Sequence, residues 1–138
     1  MATLAANKVR TFRGESVYHD LPCVASDILY QGSAGGDTSG TIRPLTAGDA
    51  FEGFVDAQAD NSAGAASAIA VRLRRKGEVQ LAVTSVASTD DIGKTVYASD
   101  DDTFTLASTN NSSIGKITEW VTSTTCWVYF EATGFRSI

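Results

Sequence analysis

Four groupings of side chains in this sequence could do chemistry. Gly93-Lys94-Thr95 has the end of a phosphate-binding loop, in which glycine amides and a lysine cradle phosphate ahead of a helix. The rest of that loop is missing. Ser88 stands where its first glycine belongs, Asp90 and Asp91 supply negative charge where phosphate needs positive, and the β-prone Val96-Tyr97 follows. His19-Asp20 has the form of a base with its orienting acid, and Ser16 or Cys23 could be cast as nucleophile, yet no local signature of a known nucleophile surrounds them. Asp100-Asp101-Asp102 could gather a calcium ion, but it lacks the alternating ligands and glycine of an EF-hand loop and reads as a solvated turn. Finally, Arg72, Arg74, Arg75 and Lys76 concentrate positive charge in five residues.

Composition limits these options further. The 138 residues suit one domain. The 11 basic and 16 acidic residues give a net charge of −5, the wrong balance for nucleic acid, and no stretch reaches the length of apolar residues that spans a bilayer. With one histidine, a His-based catalytic or metal centre has almost nothing to be built from, so the expectation is a non-enzymatic protein without a cofactor. The N-terminal segment has no apolar core of secretory length. Cys23 and Cys126 lie far apart in sequence with no CxxC pair. They read as small buried apolar residues of a reduced protein, with a disulfide between them as the alternative.

The elements that must position these side chains are β-strands. Short runs rich in Val, Ile, Thr and aromatics alternate with Gly, Ser, Asp and Asn clusters, and helical spacing is nearly absent, so the expected fold is a compact all-β barrel or sandwich. In Ile69 to Val83, residues Ile69, Val71, Leu73, Val79, Leu81 and Val83 share one face, and Arg72, Arg74, Lys76, Glu78 and Gln80 the other. Gly77 predicts a bulge or a tight hairpin that splits this run. Thr95–Ala98 and Thr103–Leu106 predict a hairpin with an exposed acidic tip at Ser99–Asp102. Two further strands are expected over Ile114–Val121 and Thr124–Ala132, one over Phe51–Val55, and one over Val24–Tyr30, where Ala25-Ser26-Asp27 could equally be a turn. Gln31–Thr41 and Asp60–Ser67 read as surface loops.

Residues 1–16 lack alternation and carry Lys8, Arg10 and Arg13 in an otherwise acidic chain. They read as an extended arm that finds its partner outside its own core, followed by a single β domain over 17–138; a frayed terminus is the alternative. On the strand face, Arg72, Arg74 and Lys76 repel one another unless acidic groups face them across the sheet or on a partner. The candidate partner-binding residues are therefore Lys8, Arg10, Arg13, Arg72, Arg74, Arg75 and Lys76.

Several stretches together resemble the small capsid decoration, or cement, proteins of tailed bacteriophages. They are Gly53-Phe54-Val55-Asp56-Ala57-Gln58-Ala59-Asp60-Asn61, Val71-Arg72-Leu73-Arg74-Arg75-Lys76-Gly77-Glu78-Val79, Asp91-Ile92-Gly93-Lys94-Thr95-Val96-Tyr97-Ala98-Ser99-Asp100-Asp101 and Ile114-Gly115-Lys116-Ile117. The resemblance covers roughly residues 45 to 132, and the repeated Ile-Gly-Lys at 92 and 114 belongs to its pattern. It implies a β-barrel or β-sandwich, commonly trimeric, assembled in the host cytoplasm onto the outer capsid surface of the virion. There it would bridge major capsid protein subunits without catalysis, nucleic acid or membrane, and the basic arm would steer toward acidic capsid patches. A carbohydrate- or receptor-binding module is the alternative from another class, with Trp120, Trp127, Tyr129 or Tyr97 offered to sugar.

Overall fold

Alternation in the sequence sets where chain faces point, and the longest alternating run becomes the strand on which the others assemble. The computed structural model describes residues 4–135; the first three residues of the expected arm and the last three of the expected domain lie outside them. The fold is all-β. Its strands are β1 (Phe12–Pro22), β2 (Ile28–Leu29), β3 (Ala34–Thr38), β4 (Thr41–Pro44), β5 (Ala50–Val55), β6 (Ala59–Asp60), β7 (Ala70–Thr84), β8 (Thr95–Ala98), β9 (Phe104–Thr105), β10 (Ser112–Thr122) and β11 (Thr125–Glu131).

Five of them close a barrel. Strand β7 pairs with β11, β11 with β10, β10 with β8 and β8 with β9, all antiparallel, and β9 returns to β7 in parallel at Val83 and Thr84. The N-terminal half of β7 extends beyond the barrel, paired with β1 and with β5, from which β3 and β4 continue the sheet. The short pair β2–β6 stands apart. Val79, Leu81 and Val83 point into the barrel with Phe51, Phe54, Phe104, Ile114, Ile117, Val128 and Phe130; Val71 and Leu73 point into a second cluster with Cys23, Leu29, Ile42 and Val55. Cys126 is buried in the barrel cluster and Cys23 in the other, both as free thiols, in keeping with the reduced reading.

Several expectations are corrected. Gly77 does not split its run, because β7 is continuous and the irregularity lies in its neighbour. Arg13 faces Glu78 and Val17 faces Lys76, so Gly14, Glu15 and Ser16 bulge opposite Gly77. Gly77 has φ +143°, and a Cβ there would lie 3.1 Å from Ser16 Oγ and 3.2 Å from the Glu15 carbonyl oxygen, so a glycine is what lets the bulge close over it. Ile69 sits outside the ladder at the rim and is partly exposed, while Arg75 occupies a buried inward position.

The boundary expected between residues 16 and 17 falls inside β1, which starts at Phe12 and is laddered to β7. Within Gln31–Thr41, expected as loop, lies β3. Its Ala34-Gly35-Gly36 stretch is buried because backbone packs where side chains usually do: a Cβ on Gly35 would stand 3.0 Å from Ile42 Cγ2 and 3.1 Å from Leu73 Cδ2. Of Val24–Tyr30 only Ile28–Leu29 is strand, after a turn at Ala25-Ser26. The other expected strands stand, with shifts of a residue or two at their ends.

Phe54 organises the barrel interior. Its ring packs edge-on against Phe51, Phe12 and Phe130, at centroid distances of 5.5, 6.1 and 4.9 Å, and tilted against Phe104 at 6.0 Å. Truncating Phe54→Ala leaves a cavity bounded by rigid rings that cannot collapse, and is expected to cost about 3–5 kcal/mol, read as a lower urea midpoint at unchanged slope.

Candidate functional site

The basic residues singled out from sequence do not form one exposed stripe; most are tied to the protein's own carboxylates. Residues 8–11 lie across the barrel as a strap. The Lys8 amide donates to the Gln31 carbonyl, and the Gln80 amide to the Thr11 carbonyl. Lys8 Nζ reaches Asp102 at 3.0 Å. The Arg10 side chain, only 4% exposed, donates through Nε to the Gly32 carbonyl and through Nη2 to Asp102. The Arg10 guanidinium also lies against the Phe54 and Phe104 rings, 5.4 and 5.3 Å from their centroids. Burial lowers the Arg10 pKa and Asp102 opposes that shift, so Asp102 compensates a cation buried among aromatics.

This arrangement corrects two expectations. The acidic hairpin tip is not a solvated turn, since Asp101 is buried and Asp102 is covered by Lys8 and Arg10. The arm, from Lys8 onward, rests on its own chain. Arg13 donates to Glu78 and Glu119 at 3.1 and 2.8 Å and lies 3.9 Å from the centroid of the Trp127 ring. Those two carboxylates raise the Arg13 pKa.

Along β7 the expected repulsion is relieved internally. Arg72 pairs with Asp56 at 3.5 Å and covers Tyr18. Arg74 donates to Ser16 Oγ at 2.7 Å and lies 4.0 Å from the Phe12 centroid. Arg75 pairs with Glu52 at 3.2 Å and approaches His19 Nδ1 at 3.1 Å; a guanidinium only donates, so Nδ1 accepts. Lys76 stands opposite Val17 on β1 and Glu131 on β11. The candidate nucleophile arrangement is not assembled: Ser16 is held by Arg74, His19 by Arg75, and Cys23 is fully buried.

The Gly93-Lys94-Thr95 segment is likewise filled from within. A single 3-10 turn over Thr89–Asp91 is capped by Ser88, and the Asp91 carboxylate accepts the Ala87 and Ser88 amides at 2.8 and 3.2 Å and Lys94 Nζ at 2.7 Å. The Gly93 and Lys94 amides that would cradle a phosphate donate instead to the Ile117 and Asp91 carbonyls, and the Asp91 carboxylate is held by the Ala87 and Ser88 amides and Lys94 at a pKa of about 2.

What sequence inspection did not foresee is that the two Ile-Gly-Lys repeats meet. The Gly93 amide donates to the Ile117 carbonyl at 2.8 Å and the Ile117 amide to the Lys94 carbonyl at 3.0 Å, so the 92–94 loop lies against β10. There the outer barrel wall has an open, largely apolar hollow of about 570 Å³, lined by Gly93, Thr95, Gly115, Lys116, Tyr129 and Glu131 among others. Gly115 lets β10 close up on β11 at the hollow's wall, because a Cβ at that position would collide with the Tyr129 carbonyl oxygen. Tyr129 is 38% exposed with its hydroxyl on Glu131 at 3.0 Å, and Ile92, adjoining the hollow in sequence, is 48% exposed. The signal in the sequence was the repeat itself; the register that juxtaposes its copies was not visible.

A scan of protein-family models, a search of curated proteins and a search of solved structures returned no match to the chain. The fold and surface therefore define its class: a five-stranded closed β-barrel with a docked N-terminal strap and, among the described residues, an apolar hollow on its outer wall.

Two outcomes are expected here. Asp102→Asn, which strips the buried Arg10 of its counter-charge, should lower stability by about 3 kcal/mol, whereas Lys8→Gln at the exposed partner should cost under about 1 kcal/mol; chemical denaturation compares them. Asp91 is held below the ordinary carboxylate range, so it stabilises the fold above pH 4 and loses that contribution as pH falls through about 2. Asp91→Asn should be less stable at neutral pH and should flatten the fall in melting temperature across that acid window.

Proposed function

We propose that this chain is a non-enzymatic structural protein of a tailed-bacteriophage virion, binding the outer capsid surface as a homotrimer and bridging major capsid protein subunits. The observation that carries the reading is the convergence of the two Ile-Gly-Lys segments on one open hollow. These segments are part of the resemblance to capsid decoration proteins, and they come together on the barrel's outer wall with exposed Tyr129 and Ile92. An aromatic ring and aliphatic groups around a glycine hollow suit adhesion: they bury area on contact, and a glycine floor admits a protruding side chain. Bridging then works by adding interface between subunits that internal pressure would separate, and trimerisation multiplies each weak contact.

The same hollow favours one other reading. Tyr129 held by Glu131, with Lys116 opposite it in register, is a small aromatic platform with polar neighbours, as a sugar would need.

Expanded capsids of a tailed phage stripped of their decoration protein should bind this protein at micromolar concentration and gain resistance to heat, and light scattering should give a mass of three chains. Tyr129→Ala should weaken capsid binding by about tenfold or more at unchanged fold. Absence of binding at that concentration, with a hit on a glycan array lost in Tyr129→Ala, would transfer the function to the carbohydrate reading.

A further inference from the structure

Beneath the strap lies a second, smaller cavity of about 110 Å³, with Lys8, Arg10, Phe12, Gln31, Asp56 and Arg74 in its wall. That is room for three or four waters at liquid density. Its cations are unusually placed. Arg10 is anchored by Gly32 and Asp102 through Nε and Nη2, and its Nη1 makes no hydrogen bond among the described residues. Arg74 is fixed by Ser16 through Nη1 and by stacking on Phe12 and Tyr18, and its buried Nε has no hydrogen-bond partner. Arg10 Nη1 is the guanidinium edge left without an acceptor at the cavity, and Arg74, whose Nε is closed off from it, adds a second positive charge to the wall.

The charge count specifies what kind. Lys8, Arg10 and Arg74 bring three positive charges to the wall. Asp56 in the wall and Asp102, bridging Lys8 and Arg10, return two negative ones. Adding the next neighbours, Arg72 against Asp56 and Asp101 against Arg10, leaves the balance at one excess positive charge. A monoanion neutralises the site, whereas a dianion would meet Asp56 with charge to spare. A guanidinium edge matches the planar fork of a carboxylate in particular.

We infer that the cavity under the strap is a binding site for a single carboxylate group, recognised by Arg74 and Arg10 with Lys8 at its mouth. Either a free carboxylate or an acidic side chain presented by a partner would fill it, and the site shares no lining residue with the hollow at Gly115 and Tyr129, so it stands whether or not capsid binding does. The strap is then part of the binding wall, and loading should tighten it.

Titration of the intact protein at constant ionic strength, followed by the arginine Nε–H and Gly32 amide signals in ¹H–¹⁵N spectra, tests this. Sodium acetate and the peptide acetyl-Gly-Glu-Gly-amide are the two arms. A saturable shift of the Arg10 Nε–H with half-saturation at about 1–10 mM is expected in at least one arm. Response to acetate alone assigns a free ligand, and response to the peptide alone assigns a partner's side chain. Arg74→Gln should abolish the response. Lys8→Gln, which leaves the aromatic stacking untouched, should weaken it by roughly fivefold while the protein stays folded at the titration temperature. Linear drift in both arms, equal response in Lys8→Gln, or tighter saturation by inorganic phosphate would overturn the assignment.

Discussion

Strand β7 has to serve two cores with one alternation, and the rest of the molecule follows from how it does so. Its C-terminal half points Val79, Leu81 and Val83 into the barrel, and its N-terminal half points Val71 and Leu73 into the second cluster. The two inward positions between them, Arg75 and Gly77, are where neither core can place an aliphatic side chain. Arg75 is compensated there by Glu52 and His19, and Gly77 leaves the space that the β1 bulge occupies. A one-residue slip would turn every one of these side chains to the wrong face, so β1, β5, β9 and β11 take their register from a strand that cannot shift.

Legibility in the sequence followed periodicity. The alternation of Val71 to Val83 and the Thr-rich runs after Ile114 gave strands close to where they lie, because one face of each meets water. Strand β3 was hidden because its buried residues Ala34, Gly35 and Gly36 show no alternation: Gly35 lacks volume against Ile42 and Leu73 on one face, and Gly36 lacks it against Asp49 on the other. The hairpin that closes it was signalled locally by Ser39-Gly40, both with positive φ. Register against distant strands has no local signature, so the meeting of the 92–94 and 114–117 segments and the pairing of Lys8 and Arg10 with Asp102 could not be read in advance.

Charge was legible in amount and illegible in destination. Of the seven cations marked as candidate partner-binding residues, Lys8, Arg10, Arg13, Arg72 and Arg75 sit in ion pairs within the chain, and Arg74 is bound to Ser16 and aromatic rings. Clustering of like charge in sequence measured a need for counter-charge, which the fold supplies from Asp56, Asp102, Glu52, Glu78 and Glu119. The hollow around Gly115 and Tyr129, away from these pairs, is correspondingly apolar.

The separation of strap and hairpin tip has a consequence for how the chain is made. Arg10 leaves the ribosome 92 residues before its counter-ion, roughly 5–20 s at ordinary synthesis rates. For the earlier part of that interval β1 also waits for β7, its ladder partner among the described residues, as an unprotected strand. The charges at Arg13, Glu15 and Asp20 and the kink at Gly14 then act on the nascent chain before they act in the fold: they keep β1 soluble and poorly self-complementary until the strand it belongs to exists.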